Sequence, residues 1–138
     1  MTRLAGGCIT GGCLCGAVRY EARSAPVDTG WCHCRMCQRV SGAPAQPFAL
    51  FPLADFTYLQ GSPAVFLSSA IGERRFCPDC GSSLEFRERN EPREVSINAG
   101  TLDDPSLAPP RKHIWVSSRL AWFRFDDGLP TFEEGADP

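Results

Sequence analysis

The eight cysteines of this 138-residue chain are its most informative residues, because seven of them are spaced as metal ligands. Three lie within residues 32–37, which read CHCRMC, and two lie in the segment CPDCG at 77–81. Cys13 and Cys15 form a third group near the N-terminus. Thiolates at such short spacings can bind one ion together, and zinc accepts four of them in a tetrahedral arrangement. The cysteine pattern therefore predicts metal binding.

One closed structural site is predicted from Cys13, Cys15, Cys77 and Cys80. On a strand, Cys13 and Cys15 would point to the same face. The tight turn from Cys77 to Cys80 would aim two sulfurs and several backbone N–H groups at one ion. We expect zinc here, and the ligands alone also leave a single iron open. Such a site would staple the N-terminal strand to the middle of the chain and contribute folding free energy.

The remaining triplet, Cys32, Cys34 and Cys37, is one ligand short of a closed tetrahedral site. Catalytic zinc sites have three protein ligands and an exchangeable fourth position. We therefore expect the fourth position to be open to a ligand or to solvent. Three residues could close it instead: His33, Cys8 and His113. A redox role for the CxxC pair at 34–37 is a further alternative, weakened by the lack of a βαβ pattern around it.

Basic residues lie beside both metal motifs. Arg35 and Arg39 flank the triplet and, with His33, are the candidate substrate contacts, while Arg74 and Arg75 directly precede the second motif. A thiolate substrate would increase the negative charge of a three-thiolate zinc, and arginines could offset that charge. Guanidinium groups also bind the carboxylates of a peptide thiol. The alternative for each arginine is an ordinary solvated surface charge.

The segments that would position these residues read as short strands, which predicts an all-β domain. Aromatic and β-branched runs bounded by glycine, proline or asparagine mark the strands, at 13–23, 48–61 (two runs), 64–70, 83–89, 94–100 and 113–128. The one helical segment predicted is at 34–40, before the Ser41-Gly42 break. Turns are predicted at Asp103-Asp104-Pro105 and at Asp127-Gly128.

Four aromatic residues crowd the last predicted strand. They are Trp115, Trp122, Phe123 and Phe125. Aromatic side chains fill β-sheet cores more often than they bind ligands, so we interpret this stripe as core.

Composition favours a single cytoplasmic domain over 1–138. The 43% hydrophobic content is enough for a core at this length. A net charge of −2 argues against nucleic-acid binding, and no apolar run is long enough to span a membrane. The sequence LAGGC at 4–8 looks like a lipoprotein cleavage box but lacks a preceding apolar segment. In a reducing compartment, the cysteines would be thiols or metal ligands.

The ordered motifs resemble those of the glutathione-dependent formaldehyde-activating enzymes, a family that also includes centromere protein V. The matching segments are GGCLCGAVRYEA (11–22), CHCRMCQRVSG (32–42), SSAIGERRFCPDCGSSL (68–84), INAGTLDDP (97–105), HIWVSSRLAW (113–122) and DGLPTFEEG (127–135). Cys8 lies outside this pattern.

The resemblance implies a β-tent of coiled antiparallel sheets that holds two zinc ions. It assigns Cys13, Cys15, Cys77 and Cys80 to a structural ion, and the 32–37 triplet to a catalytic one. It also implies a carbon–sulfur lyase, of the S-(hydroxymethyl)glutathione synthase type, that joins glutathione to formaldehyde. Fold alone does not certify a substrate. Two alternatives therefore stay open: a zinc-dependent thiol carrier, and a structural zinc domain that contacts a macromolecule.

Overall fold

The computed structural model describes residues 8–90 and 92–135, which form ten short strands and one α-helix. The strands are Ile9–Gly12 (β1), Arg19–Ala22 (β2), Asp28–Cys32 (β3), Gln46–Pro52 (β4), Phe56–Gln60 (β5), Ala64–Leu67 (β6), Gly72–Phe76 (β7), Ser83–Glu88 (β8), Glu94–Asn98 (β9) and His113–Ile114 (β10). The helix α1 covers Arg35–Ser41. The all-β prediction is confirmed. Residues 4–7 of the lipoprotein-like segment lie outside the described residues.

The strands are arranged in two sheets. The small sheet has the order β1-β2-β5, and the large sheet has the order β10-β3-β4-β9-β8-β7-β6. All strand pairs are antiparallel except the short β10–β3 pair, which is parallel. A shared core joins the sheets; its main side chains are Ile9, Tyr20, Ala22 and Phe56 from the small sheet and Ala49, Phe51, Leu84, Val95 and Ile97 from the large sheet.

Strand β4 borders two different environments. Ala49 and Phe51 are fully buried in the core between the sheets. Phe48 and Leu50 belong instead to a smaller apolar cluster around the cysteine triplet. Successive residues of a strand point to opposite faces, so β4 separates the main core from the triplet.

The predicted helix is confirmed, and its two ends have clear causes. The Cys34 sulfur accepts a hydrogen bond from the Cys37 backbone N–H, which caps the helix N-terminus. Gly42 follows the last turn with φ 66°, a left-handed conformation that glycine adopts at little cost. Within the part of the chain that the structure describes, no helix has the length and apolar character needed to cross a membrane.

The strand prediction for residues 13–23 is wrong in its first half. Strand β1 ends at Gly12, and residues 13–18 form a turn before β2 begins at Arg19. Within the turn, the Cys13 backbone N–H donates to the Val18 carbonyl and Gly16 has φ 82°. Cys13 and Cys15 therefore lie on a turn and not on one face of a strand. The turn still directs both sulfurs to the same place.

The strand prediction for residues 113–128 is also wrong, and so is the core interpretation of its aromatic stripe. Beyond His113–Ile114 the backbone leaves the sheet, and His113 and Trp115 donate backbone hydrogen bonds to Pro130 and Glu134. Trp122 is 72% exposed and Trp115 is 38% exposed. Carbonyl groups of the C-terminal segment thus accept the backbone hydrogen bonds that a longer strand would have made within the sheet.

Both turn predictions are confirmed. Asp104 accepts a hydrogen bond from the Ser106 backbone N–H at the start of a 3-10 turn. Asp127 accepts one from the Leu129 N–H, and Gly128 between them has φ 71°. Short aspartate side chains stabilise such turns by bonding the backbone two residues further on.

A buried ion pair ties β3 to the segment before β10, and removing one partner is expected to be costly. Lys112 Nζ lies 2.8 Å from Asp28 Oδ2, and the two side chains are 11% and 6% exposed. Because Lys112→Met would leave the Asp28 carboxylate buried and unpaired, we expect it to lower the free energy of unfolding by about 3–5 kcal/mol. Urea denaturation measures the change. The double variant Lys112→Met/Asp28→Asn should recover part of the loss; recovery of none would contradict this explanation.

Candidate metal centres

The four cysteines predicted to form a closed site are brought together where the two sheets meet. Cys13 and Cys15 lie in the turn after β1 of the small sheet, and Cys77 and Cys80 lie between β7 and β8 of the large sheet. All four sulfurs lie within 4.8 Å of one another. The Cys13–Cys15 and Cys15–Cys77 sulfur distances are 3.6 and 3.8 Å.

These sulfur distances fit a tetrahedral ion. With zinc–sulfur bonds of about 2.3 Å, ligands at the corners of a tetrahedron lie about 3.8 Å apart. A disulfide would instead require a sulfur separation of about 2.05 Å, and the cysteines are free thiols. The donor set and its spacing could therefore hold a zinc ion.

Hydrogen bonds favour the thiolate form in part of the four-cysteine group, whereas, despite a hydrogen bond from the Ala17 N–H, contacts with the other thiols raise the pKa of Cys15 to about 12. The Val18 N–H donates to the Cys13 sulfur over 3.2 Å, and the Cys80 N–H donates to the Cys77 sulfur over 3.5 Å. Hydrogen bonds from the Ser82 hydroxyl and backbone N–H lower the pKa of Cys80 to about 5. Donors aimed at a sulfur stabilise its negative charge, which metal binding requires.

The three remaining predicted ligands form a second group at one end of the large sheet. Cys32 is the last residue of β3, Cys34 caps α1, and Cys37 lies in its first turns. Their sulfurs also lie within 4.8 Å of one another. Hydrogen bonds from the thiols of Cys32 and Cys37 lower the pKa of Cys34, and the contact with Cys34 raises the pKa of Cys32, so one thiolate forms readily in the group.

None of the residues considered as a fourth ligand joins this second group. Among residues 8–90 and 92–135, no further thiol, imidazole or carboxylate completes it. Cys8 is exposed and lies beside Glu21 on the small sheet. The two histidines bond to each other, with 2.9 Å between His33 Nε2 and His113 Nδ1. The structure thus brings three cysteines together without a fourth described donor.

His33 packs in a cluster of aromatic rings and not with the cysteines. It is fully buried and packs against Phe123 and Phe125, while His113 continues the hydrogen-bond chain to Asp127 at 2.8 Å. Burial and the neighbouring His113 lower the pKa of His33 to about 4. The structure gives no support to His33 as a substrate contact, because its ring packs against His113, Phe123 and Phe125 and does not line the cavity beside the three cysteines.

A cavity of about 520 Å³ opens directly onto the three-cysteine group. Its floor is a single row of residues paired across four neighbouring strands of the large sheet. In order from β4 to β7, these are Leu50, Ser96, Phe86 and Arg74. Residues paired across antiparallel strands lie on the same face, so the row is continuous. The cysteines of the other group do not line this cavity.

Arg74 is the most buried cation in the cavity wall. Its side chain stacks over the Phe86 ring at 5.0 Å, and Nη2 lies 4.0 Å from the Cys37 sulfur. The residue is only 8% exposed, and its Nε has no hydrogen-bond partner among the described residues. An unpaired buried donor is costly, which makes Arg74 a ready partner for an anionic group.

The other arginines considered from the sequence have different positions. Arg35 is exposed at the cavity wall and donates to the Gln38 side chain. Arg39 is exposed on α1 and does not line the cavity. Arg75 is paired with Glu73 and Glu85. Of the four, therefore, only Arg35 and Arg74 face the site.

Sequence reasoning missed most of the cavity wall. Phe48, Leu50 and Ser96 had no assigned role, and Trp115 was interpreted as core. Trp115 has φ 57°, which is uncommon for a bulky residue and costs backbone energy. The sequences of β4 and β9 contained the available signal. Their alternate residues form two faces, and the residues of the face opposite to the core could have been predicted to line a cavity.

The fold and the two cysteine groups define a two-sheet β domain with one cysteine group where the two sheets meet and another beside a cavity. A family model for the glutathione-dependent formaldehyde-activating enzymes matches residues 8–118. The chain belongs to this family.

Relatives of known sequence agree with this assignment. A Halomonas elongata protein, provisionally named a glutathione-dependent formaldehyde-activating enzyme, is 28% identical over 127 residues, which cover 86% of this chain and 81% of that protein. A Schizosaccharomyces pombe protein named an uncharacterized lyase is 29% identical over 89 residues, covering 64% of each chain.

The fold also resembles a solved structure. A crystal structure of a Rhodobacter sphaeroides protein superposes with a TM-score of 0.59 at 23% identity, covering 89% of this chain and 98% of that one. This likeness supports the fold alone.

Proposed function

We propose that this protein is a zinc-dependent carbon–sulfur lyase-type enzyme that joins a small thiol, glutathione, to formaldehyde or a related carbonyl compound. The observation that carries the proposal is the three-cysteine group that faces a cavity beside a buried, incompletely paired arginine. Family membership and the lyase name of one relative support the same class of reaction.

The proposed reaction forms a C–S bond and an O–H bond, and it breaks the S–H bond and the C=O π bond. The thiol sulfur bonds to the carbonyl carbon, the C=O π pair moves to the oxygen, and the proton lost by the thiol ends on that oxygen. With formaldehyde and glutathione, the product is S-(hydroxymethyl)glutathione. A zinc ion held by Cys32, Cys34 and Cys37 would lower the pKa of a thiol bound beside them and so supply a thiolate at neutral pH.

Arg74 is suited to stabilise the oxygen as it becomes an alkoxide. Arg74 lines the cavity, its guanidinium adjoins the Cys37 sulfur, and its buried Nε has no hydrogen-bond partner among the described residues. Burial strengthens such a hydrogen bond, because competing water is excluded. Arg35, exposed at the cavity wall, can contact a carboxylate of the peptide thiol. Both cations would also offset the negative charge that three thiolates and a thiol substrate bring together.

Arginine substitution tests this assignment. We expect Arg74→Gln to reduce the protein-dependent rate by at least about 10-fold, since it removes a charged donor to the alkoxide. NMR exchange spectroscopy on zinc-loaded protein with glutathione and ¹³C-formaldehyde measures interconversion above the uncatalysed background. Arg39→Gln is the matched control, because Arg39 lies on α1 outside the cavity, and it should leave the rate unchanged. Zinc content and circular dichroism of each variant report whether the fold is intact.

The same experiment separates an enzyme from the alternatives. Exchange at the background rate with wild-type protein would refute the proposed catalysis. Glutathione titration by calorimetry would then distinguish the two remaining functions. Binding would indicate a thiol carrier, and no binding at millimolar concentration would indicate a structural zinc domain.

A further inference from the structure

We propose that the carbonyl substrate of this site is an aldehyde with a sizeable apolar substituent, such as an aryl or medium-chain alkyl group, in preference to formaldehyde. The inference rests on the proposed function, because it specifies the electrophile used at the same carbon–sulfur bond-forming site. Three features of the cavity support it: its size, the chemistry of its walls and the position of its buried cation.

The cavity is much larger than formaldehyde requires. Its volume of about 520 Å³ is in the range of pockets that enclose drug-sized ligands. Most of the wall is apolar, with side chains from Met36, Phe48, Leu50, Phe86 and Ile114. Formaldehyde has no apolar group with which to cover these walls. An alkyl or aryl substituent would remove both the walls and itself from water, which favours binding.

Three polar side chains of the wall are engaged with the protein. Asp28 is paired with Lys112, and Glu85 accepts from Tyr58 and Arg87. The Asn98 side chain bonds backbone groups on both sides, donating to the Ser83 carbonyl and accepting from the Gly100 N–H. These three side chains are therefore not free to pair with the amide, carboxylate and ammonium groups of glutathione.

The apolar interior and the polar rim of the cavity favour different positions for glutathione and for the aldehyde. Burying an unpaired amide or carboxylate costs more than leaving it in water. The peptide part of glutathione is thus expected at the exposed rim, beside Arg35 and Trp115. Glutathione itself has no large apolar group, so the apolar walls are left for the substituent of the aldehyde.

The position of Arg74 is compatible with such a substrate. Its guanidinium lies beside the Cys37 sulfur on one side and over the Phe86 ring on the other. An aldehyde oxygen bonded to Arg74 would therefore lie near the metal ligands, while its substituent could extend along the row formed by Phe86, Ser96 and Leu50. The substituent takes no part in the reaction, since the bonds that form (C–S and O–H) and those that break (S–H and the C=O π bond) involve only the thiol and the carbonyl group. Selectivity would come from apolar contact alone.

A comparison of two aldehydes tests the inference. Zinc-loaded protein is mixed with glutathione and either formaldehyde or phenylacetaldehyde, and NMR exchange spectroscopy gives the rate with and without protein. We expect the acceleration for phenylacetaldehyde to exceed that for formaldehyde by at least about 10-fold, the discrimination that an apolar pocket provides. Ser96→Phe, which fills the middle of the row, should reduce this ratio by a similar factor.

Controls separate a local effect from a general one. Thr57→Phe adds the same ring to an exposed position of β5 on the small sheet, and both accelerations should be unchanged. If Ser96→Phe loses zinc or its native circular dichroism, Leu50→Trp in the same row replaces it. An unchanged ratio in a folded row variant would overturn the inference.

The outcomes also distinguish this inference from the proposed function. Acceleration of formaldehyde that equals or exceeds that of phenylacetaldehyde would overturn the inference and leave the proposed function standing. Acceleration of neither aldehyde would refute both. Preferential acceleration of phenylacetaldehyde that is lost in the row variant would support both.

Discussion

Cys77→Ala is expected to leave the protein unfolded at neutral pH, and removal of zinc by a strong chelator is expected to do the same. Cys77 is fully buried within the main core, and its group joins the turn after β1 to the turn after β7. A structural zinc site contributes on the order of 10 kcal/mol, as much as the whole free energy of unfolding of a typical domain. Far-UV circular dichroism and thermal unfolding measure the loss.

The eighth cysteine provides a matched control for this prediction. Cys8 is exposed and belongs to neither metal group, so Cys8→Ala should retain the native spectrum, melting temperature and zinc content. The result against our interpretation would be a Cys77→Ala protein that lacks one zinc ion yet melts at the wild-type temperature. In that case the core between the sheets would suffice for folding without the metal.

The two cysteine groups could be predicted from sequence because each is assembled from short, local motifs. Spacing alone places Cys34 near Cys37, and Cys77 near Cys80, whatever the rest of the fold does. The grouping of Cys13 and Cys15 was predicted correctly although their secondary structure was not. The turn that they form brings their sulfurs together, as a strand would also have done. Ligand chemistry was a stronger constraint than strand propensity.

The cavity could not be predicted in this way because its wall is non-local. Leu50, Ser96, Phe86 and Arg74 lie on four separate strands, and only the register of the large sheet places them in one row. Arg74 precedes the Cys77 motif in sequence and was therefore considered beside it. In the structure it contacts the triplet instead. A one-residue change of register would have turned this row to the opposite face.

The aromatic C-terminal segment shows a second limit of sequence reasoning. Its composition is typical of a buried strand, and β propensity mainly reports how well a side chain fits a half-buried surface. Here Phe123 and Phe125 pack around His33, so these aromatic side chains are partly buried although the backbone forms no strand. The backbone partners come from residues 130–134, which no periodic pattern had marked.

The two cysteine groups differ in their surroundings, and this difference predicts different consequences for the fold. Cys13 and Cys77 are part of the main core between the sheets. Cys32 and Cys37 belong to a small separate cluster with Phe48, on the far side of β4. Loss of a ligand from the first group removes a link between sheets, whereas loss from the second affects one helix and one cavity.

Cys34→Ser is accordingly expected to reduce the zinc content from two ions per chain to one and the exchange rate to the uncatalysed background, with the fold retained. Cys34 is half-buried and caps α1 with its sulfur. Serine is a good N-cap residue, so the helix keeps an acceptor for the Cys37 N–H while the metal loses a thiolate. Metal analysis by mass spectrometry, circular dichroism and the exchange assay measure the three properties separately.

Cys34→Ala separates helix capping from metal binding at the same position. It removes the cap as well as the ligand, so its free energy of unfolding should be lower than that of Cys34→Ser by about 1 kcal/mol, with the same zinc content. Loss of both ions, or global unfolding, in the serine variant would contradict the division into a structural and a substrate-facing site. Retention of two ions with normal exchange would instead show that Cys34 is dispensable as a ligand. Since Cys32 and Cys37 alone cannot hold a zinc ion as three thiolates do, we expect the intermediate result of one ion, a native fold and background exchange.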